Sequence, residues 1–386
     1  MTSVEADERT PRVSVVIPCL NEAETISECV RAARAALAES ELRGEVIVVD
    51  NGSDDGSGDL AREAGATVIE EPRRGYGSAY LTGLAAARGE YIVMVDADLT
   101  YDLREIPQFV AALEAGAQVV IGNRMDRIRP GAMPLLSRIG NPILSRFLNA
   151  LHGTTVGDVH CGMRALRRDV LPVLSLRTTG MEFASEMVIR AARERLDMRE
   201  IPVTLHPRAG QSKLSPFRDG WRHLRLILVY HPTFVFLLPG AAMLLAGLVL
   251  TVLVLSPAPT FGRQLYIHSL IVGSLLILLG VQAIGFGICA RAYGVYFIGE
   301  QDELFARLRA RIRLEHGVVL AALVVVAGLS LFGIVIEKWA AHGFGRLQEE
   351  RLAILATTTI AVGAQVFFTS FLLSVIGLRW RSNERE

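Results

Sequence analysis

The chain has 386 residues, of which 51% are apolar, and its 40 basic side chains balance its 40 acidic ones. A mean hydropathy of +0.35 is high for a soluble protein,. Neutral charge without a basic stretch in the first half argues against a nucleic-acid partner. The four cysteines show no CxxC spacing, which predicts reduced thiols and argues against a disulfide framework or a zinc site.

Short β-branched runs alternate with helical segments over the first 230 residues. This alternation is typical of an α/β domain with a mostly parallel sheet. Strands are predicted at residues 13–17, 45–49, 67–70, 91–95, 118–121 and 199–204. Helices are predicted at residues 22–40, 59–64, 77–88, 106–115 and 187–195.

Two carboxylates, Asp96 and Asp98, follow the apolar strand predicted at 91–95. Open α/β sheets hold ligands at the carboxyl ends of their strands, and side chains two residues apart on an extended segment point the same way. Both carboxylates can therefore face one hard divalent cation, which usually takes its other ligands from substrate phosphates. The segment predicts a metal–diphosphate site; the alternative is a solvated acidic turn.

Two further polar segments, residues 18–22 and 50–54, follow the first and second predicted strands. Together with Asp96 and Asp98 they predict a nucleotide crevice, in which Asp50 accepts a hydrogen bond from a base or ribose. Each loop alone would equally suit an ordinary turn. The segment 75–77, Gly-Tyr-Gly, lacks the third glycine of a dinucleotide fingerprint. Its glycines are expected to let a helix N-terminus approach phosphate or to pack tightly.

Four apolar stretches follow residue 233, each with about the 20 residues that a membrane crossing needs. They cover approximately residues 234–255, 266–290, 317–336 and 352–378. The predicted domains are a catalytic domain at 1–214, an interfacial segment at 215–233 and a membrane domain at 234–386. Basic and apolar residues with Trp221 and Tyr230 favour an amphipathic helix at the headgroups, with a plain linker helix as the alternative.

The distribution of basic residues predicts a multi-pass plasma-membrane protein with the catalytic domain and both termini in the cytoplasm. The N-terminal residues 1–12 are polar and lack the apolar stretch of a signal peptide,. Arginines are concentrated between the second and third stretches and in the tail, at positions 291, 307, 309, 311, 313, 379, 381 and 385. The two other loops carry fewer basic residues, Arg263 in one and Lys338, Arg346 and Arg351 in the other.

Residues 15–22, 48–56 and 96–98 resemble the family 2 glycosyltransferases of the GT-A fold. More narrowly, they resemble the polyprenyl-phosphate glycosyltransferases of the dolichol-phosphate mannose synthase group. Residues 210–214 are similar to that group's Gly-x-Ser-Lys loop, and residues 158–164 to its Ser-Gly-Phe segment. The resemblance covers residues 13 to about 225. It implies inverting transfer of one hexose from UDP-glucose or GDP-mannose to a polyprenyl phosphate at the cytoplasmic membrane face.

The resemblance also implies roles for single residues. Asp96 and Asp98 would bind Mg2+ or Mn2+ together with the donor diphosphate, and Thr100 stands where the family often has Gln or Ser. Contacts to the nucleoside are implied for Pro18, Glu22 and Asp50. Binding of the lipid phosphate is implied for Arg124 and Arg138, which with Asp98 form the predicted catalytic set. A lid over the diphosphate is implied for Arg208 and Lys213.

Several assignments stay open at this level. Glu182 and Glu186 could face the acceptor site or cap a helix, and His160 is expected to pack or to form hydrogen bonds. The competing functions are a processive polysaccharide synthase, a transporter or flippase with a nucleotide-sensing domain, and a non-catalytic scaffold. The synthase motif Gln-x-x-Arg-Trp has only Arg379-Trp380 as a counterpart, in the tail. Small residues in the apolar stretches permit close helix packing or a homo-oligomer.

Overall fold

The computed structural model describes residues 10–209, 216–256, 266–298 and 314–383. The chain divides into two compact units, the first ending at Ile227 and the second beginning at Leu228. The predicted Gly-x-Ser-Lys loop, with Lys213, lies outside the described residues.

The first unit is built on a seven-stranded sheet. Its strands are β1 (Val13–Cys19), β2 (Gly44–Asp50), β3 (Thr67–Glu70), β4 (Tyr91–Met94), β5 (Val119–Asn123), β6 (Arg164–Arg167) and β7 (Met198–Pro202). They lie in the order β3-β2-β1-β4-β6-β5-β7. Only β6 runs antiparallel to its neighbours β4 and β5. The predicted mostly parallel sheet is confirmed, and β6 is a strand that the sequence pattern did not indicate.

The order of the strands reverses at β1, which lies between β2 and β4 and is parallel to both. Cys19 at the end of β1 is level with Asp50 at the end of β2, and Val16 is level with Met94 at the end of β4. The loops that follow these three strands therefore leave the same edge of the sheet. This switch point is the position at which open α/β sheets form a ligand crevice.

Eight α-helices of the described chain precede the membrane-spanning region. They are α1 (Ile26–Glu39), α2 (Ser57–Glu63), α3 (Tyr76–Ala86), α4 (Ile106–Glu114), α5 (Leu135–His152), α6 (Leu171–Leu174), α7 (Phe183–Arg193) and α8 (Pro216–Val229). Helix α1 begins at Ile26 instead of the predicted Glu22, because Glu22 opens a turn in which its carbonyl accepts from the Thr25 N–H. The segment expected to form an interfacial helix contains α8.

The core of the first unit surrounds β1, whose residues Val13 to Ile17 are fully buried. Burial on both faces explains why this strand is almost continuously apolar and not alternating. Helix α3 lies directly on the sheet at Gly83, where an added Cβ would come within 2.4 Å of Val16 and 2.9 Å of Val49. This close contact holds α3 against β1 and β2.

The second unit contains helices α9 (Leu238–Leu255), α10 (Ile267–Tyr293), α11 (Leu314–Ala341) and α12 (Glu350–Asn383). Four segments are long and apolar enough to cross a membrane, which confirms the predicted four spans: Thr233–Leu255, Ile267–Tyr296, Glu315–Ala341 and Glu350–Gly377. Glycines bring α9 and α10 together, because a Cβ at Gly247 would lie 2.6 Å from the carbonyl oxygen of Gly273. Small residues thus serve close packing within this unit, as is usual between membrane helices.

Candidate active site

Asp98, in the turn after β4, is contacted at both of its carboxylate oxygens. Leu99 adopts a left-handed conformation with φ of 57°, which turns the chain back so that Thr100 meets Asp98. The Thr100 hydroxyl donates to Oδ1 of Asp98 at 2.6 Å, and the Thr100 N–H donates to the same oxygen at 3.1 Å. The other oxygen, Oδ2, lies 3.2 Å from Nη1 of Arg208. Thr100 therefore orients the second aspartate of the Asp-x-Asp pair.

Asp96 is held by a tyrosine hydroxyl and by a neighbouring backbone segment. Its Oδ1 accepts a hydrogen bond from the Tyr76 hydroxyl at 2.9 Å. Gly162 lies against its other oxygen, so closely that an added Cβ would be 2.0 Å from Oδ2. Burial and the neighbouring Asp98 carboxylate raise the pKa of Asp96 to about 6. Two carboxylates are thus held close together where water is scarce, an arrangement that a bound cation would stabilise.

Arg208 joins the loop after β1 to the loop after β4. Its Nη2 lies 2.5 Å from Oε1 of Glu22, while its Nη1 faces Asp98. Three residues predicted for the donor site, from opposite ends of the first unit's sequence, therefore meet in one cluster. The guanidinium is partly exposed, with 21% of its side-chain surface accessible, so it can also reach a ligand.

The loops after β1 and β2 are tied together by hydrogen bonds. The N–H of Asn21 donates to Oγ of Ser53 at 2.9 Å, and the N–H of Glu22 donates to Oγ of Ser57 at 2.8 Å. Asp50 accepts from the Ser53 N–H at 2.8 Å, so one of its oxygens shapes the turn. Pro18 is half-buried next to this loop pair. Nucleoside contacts by Pro18, Glu22 and Asp50 stay predictions.

Asn51 holds several backbone segments of the crevice together, a role that the sequence pattern did not reveal. Its side-chain amide donates to the carbonyls of Glu71 and Arg73, each at 2.9 Å, and accepts from the Gly75 N–H at 2.7 Å. It therefore connects the ends of β2 and β3 to the start of α3. In the sequence it is part of an Asp-Asn-Gly run, which indicates only a turn.

The Gly-Tyr-Gly segment at the start of α3 serves tight packing. A Cβ on Gly75 would lie 2.2 Å from the carbonyl oxygen of Thr179, and one on Gly77 would lie 2.2 Å from that of Thr178. The Ser78 N–H also donates to Thr179 at 3.2 Å. Of the two roles considered for these glycines, the structure supports close backbone contact, and this contact places Tyr76 beside Asp96.

Arg124 is engaged in a buried ion pair. Its Nε and Nη2 donate to the two oxygens of Asp158 at 2.6 and 2.8 Å, and the two side chains are 11% and 0% exposed. Its Nη1 donates to the Tyr101 hydroxyl at 3.3 Å, which also accepts from the Gly162 N–H at 2.7 Å. Arg124 is thereby linked to the backbone that touches Asp96, and its binding of a lipid phosphate stays a prediction.

Arg138 lies apart from this network, exposed in the first turn of α5. Its surroundings are apolar, because Leu135, Leu136, Ile139 and Ile143 on the same helix are also exposed.

Glu186 is fully buried and accepts from the N–H groups of Arg177 and Thr178 at 3.0 and 2.8 Å. Glu186 therefore binds the loop before α7, which differs from both roles considered for it, facing the acceptor site and capping a helix.

Residues 14–174 match the family described as Glycosyl transferase family 2, and residues 288–377 match the Glycosyltransferase family 2 C-terminal transmembrane region. The chain is 40% identical to the Low-salt glycan biosynthesis hexosyltransferase Agl6 of Haloferax volcanii, over 95% of this chain and 89% of that protein. It is also 40% identical to the Dolichyl-phosphate hexose transferase of the same organism, over 46% of this chain and 77% of that protein.

Among solved structures, the chain is similar to glucosyl-3-phosphoglycerate synthase from Mycobacterium tuberculosis in complex with Mn2+, uridine-diphosphate-glucose and phosphoglyceric acid. The TM-score is 0.48 at 22% identity, over 56% of this chain and 79% of that one. The identity with the hexosyltransferase extends through both units, in agreement with the two family matches. The chain belongs to the family 2 glycosyltransferases and is a glycosyltransferase with a membrane-spanning region.

Proposed function

We propose that the protein transfers one hexose, with inversion, from UDP-glucose or GDP-mannose to a polyprenyl phosphate at the cytoplasmic face of the membrane. The observation that carries this proposal is the cluster of Asp98, Glu22 and Arg208 at the switch point, in a chain with four membrane spans. The similarity to the Dolichyl-phosphate hexose transferase supports a polyprenyl phosphate acceptor.

Asp96 and Asp98 fit a divalent cation, Mg2+ or Mn2+. The raised pKa of Asp96 reflects burial and repulsion by Asp98, and a cation between the two would relieve both. Among the described residues no group of three or more His, Cys, Asp or Glu side chains could hold a metal. An ion here would therefore take its remaining ligands from the donor. When bound, it supplies charge neutralisation of the leaving diphosphate.

The protein's own cationic groups complete the donor site. Arg208 can turn its planar guanidinium from Asp98 and Glu22 towards phosphate oxygens. The paired N–H groups of a guanidinium match the spacing of two phosphate oxygens. Lys213 follows five positions later in the sequence and is assigned to the same lid. For the nucleoside, Asp50 offers its carboxylate oxygen Oδ2 as an acceptor, since the Ser53 N–H binds the other oxygen, Oδ1.

The acceptor phosphate needs positioning more than activation, because its second pKa is roughly 6 and it is already ionised near neutral pH. It can attack the anomeric carbon directly, which inverts the configuration. Arg138 and Arg124 are assigned to its oxygens. The apolar side chains exposed around Arg138, at Leu135 and Ile139, suit the hydrocarbon part of the acceptor. Most of the rate then comes from orientation and charge stabilisation.

A donor screen tests this proposal. Purified protein in detergent receives undecaprenyl phosphate, Mg2+ or Mn2+, and one radiolabelled UDP- or GDP-sugar at a time, and the organic phase is counted. We expect metal-dependent lipid label from one donor. Replacement of Asp98→Asn should lower this label roughly 100-fold or more, since it removes a charge that acts on the diphosphate. The matched control is Asp102→Asn, four positions later, whose carboxylate pairs with the exposed Arg104.

Other outcomes would favour the competing functions. Growing water-soluble polymer without lipid label would indicate a processive synthase. No label from any donor would contradict the proposal and favour a transporter or flippase. An Asp98→Asn variant as active as the wild type would show that the Asp-x-Asp pair is not catalytic.

A further inference from the structure

The segment 158–164 forms one wall of the candidate site, because Gly162 touches Asp96. Two buried cations hold this segment. Arg124 binds Asp158 at its start. Arg164 at its end is 2% exposed and donates to the carbonyls of Val159, Cys161 and Ala184, the last two at 2.7 Å. The backbone of the wall is thus fastened to β5 and to α7.

The imidazole of His160, in the same segment, is held by contact with another aromatic ring. Both of its ring nitrogens are buried and have no hydrogen-bond partner within the part of the chain that the structure describes. Its ring meets the ring of His223 edge-on, with centroids 4.4 Å apart and planes at 86°. His223 is on α8 and lies 2.8 Å, through Nδ1, from Oγ of Ser185 on α7. The two histidines therefore join α8 to the wall of the site.

Charged groups around this pair disfavour an added proton. His160 faces His223, Arg124 and Arg164. The neighbouring carboxylate of Asp158 accepts from the His160 backbone N–H at 3.3 Å and is engaged by Arg124 through both oxygens. Burial, together with these three neighbours, holds the pKa of His160 well below its usual range. A protonated imidazole at this position would add a buried cation beside two guanidinium groups and lack an acceptor.

We propose that His160 and His223 are positioning residues which, as a neutral pair, fasten α8 to the wall that holds Asp96 in place. Protonation of the pair separates the two rings, releases α8 from the wall and slows glycosyl transfer. The pair acts through the wall and touches neither substrate nor metal. Because α8 directly precedes the membrane spans in the sequence, the contact makes the geometry of the site sensitive to the state of this helix.

The kinetic test compares pH profiles of the full-length protein in detergent. His160→Phe keeps a ring against His223, His223→Gln keeps a partner for Ser185, and the double variant cannot be protonated at either position. Because the pKa of His160 lies well below its usual range, the pair is protonated only at acid pH. We expect the ratio of wild-type kcat to double-variant kcat to fall roughly threefold from about pH 7.5 to about pH 5, with little change in KM for the donor. Protonation of the acceptor phosphate lowers kcat in both proteins and cancels in this ratio. His342→Gln, which changes an exposed histidine of the second unit, should keep the wild-type profile.

A structural test needs no substrate and stays informative if the proposed transfer reaction is wrong. Hydrogen exchange of the amides in 216–227 is measured by mass spectrometry at both pH values and corrected for the intrinsic pH dependence. Protection of α8 in the wild type should fall at the lower pH. The double variant, compared with the wild type at the same pH, should retain its protection. Equal protection of wild-type α8 at both pH values, or an equal acid loss of kcat in wild type and double variant, would overturn the proposal.

Discussion

Asp96 and Asp98 are two residues apart, yet the protein holds them by different means. Asp98 is oriented by Thr100, its neighbour in the sequence, and by Arg208, which is distant in the sequence but in direct contact. Asp96 depends on the Tyr76 hydroxyl and on a close backbone contact with Gly162. The position of Asp96 is therefore sensitive to the volume of residue 162, and the orientation of Asp98 is sensitive to the identity of its partners Thr100 and Arg208.

Replacement of Gly162→Ala should strongly impair catalysis. The new methyl group would lie 2.0 Å from Oδ2 of Asp96, so either the carboxylate or the wall must move. A displacement of about 1 Å at a reacting centre costs roughly 100-fold in rate, and we expect a loss of that order in kcat. The control is Gly140→Ala on α5, where an added Cβ meets nothing within 4 Å. Steady-state assays of both variants measure kcat. Equal activities of the two variants would contradict the contact between Gly162 and Asp96.

Replacement of Arg208→Lys should weaken use of the donor. An ammonium group cannot contact Glu22, Asp98 and a diphosphate with the paired geometry of a guanidinium. Losing one charge-assisted hydrogen bond lowers kcat/KM for the nucleotide sugar on the order of tenfold. Arg199→Lys is the matched control, because Arg199 forms an exposed pair with Asp197. If both variants lost the same activity, Arg208 would have no particular role in donor binding.

At the scale of elements, the region between β5 and α7 contributes the wall of the site and one buried ion pair. Arg124 follows β5, and Asp158 begins the wall, so their bond fixes the wall to the sheet. Removing only one partner of such a pair is far more costly than removing an exposed pair, since it leaves a buried charge without compensation.

Replacement of Asp158→Asn should therefore destabilise the first unit. The expected loss is about 3–5 kcal/mol, which corresponds to a decrease in melting temperature on the order of 10 °C. Thermal unfolding in detergent measures it. Asp169→Asn serves as the control, since Asp169 pairs with Arg167 at an exposed position and such pairs contribute less than about 1 kcal/mol. Similar shifts in the two variants would argue against a buried pair.

For the whole molecule, four membrane spans, an even number, predict that the first unit and the C-terminal residues lie on the same side of the membrane,. The arginines between the second and third spans and in the tail predict that this side is the cytoplasm. The proposed reaction requires the same orientation, because nucleotide sugars are supplied there and the acceptor phosphate lies at the headgroup level.

Reporter fusions test this orientation. Alkaline phosphatase inserted after Gly345, in the loop between α11 and α12, should be active, since it would be exported. The same enzyme fused after Glu386 should be inactive, whereas a fluorescent protein fused there should fluoresce. The reversed pattern would place the catalytic unit outside the cytoplasm and contradict the proposed donor supply.

The amino-acid sequence by itself determined the features that depend on local pattern. All six predicted strands are present, the four spans are present, and the acidic loops leave the expected edge of the sheet. These features follow from apolar runs and from side-chain periods of neighbouring residues, which a linear sequence displays directly. Helix α5 was missed because Gly140 and Pro142 interrupt its pattern. Strand β6 was missed because two of its four residues are arginines, which do not resemble an apolar strand.

Only the tertiary structure decided how the site is held together. The contacts of Asn51 with Arg73, of Tyr101 with Gly162, and of Arg208 with Glu22 join residues that are 22, 61 and 186 positions apart. Burial likewise determined that Arg124 binds Asp158 within the protein and that His160 meets His223. Which residues pair at such separations depends on how whole helices and strands pack against one another. The sequence pattern of neighbouring residues does not indicate these pairs.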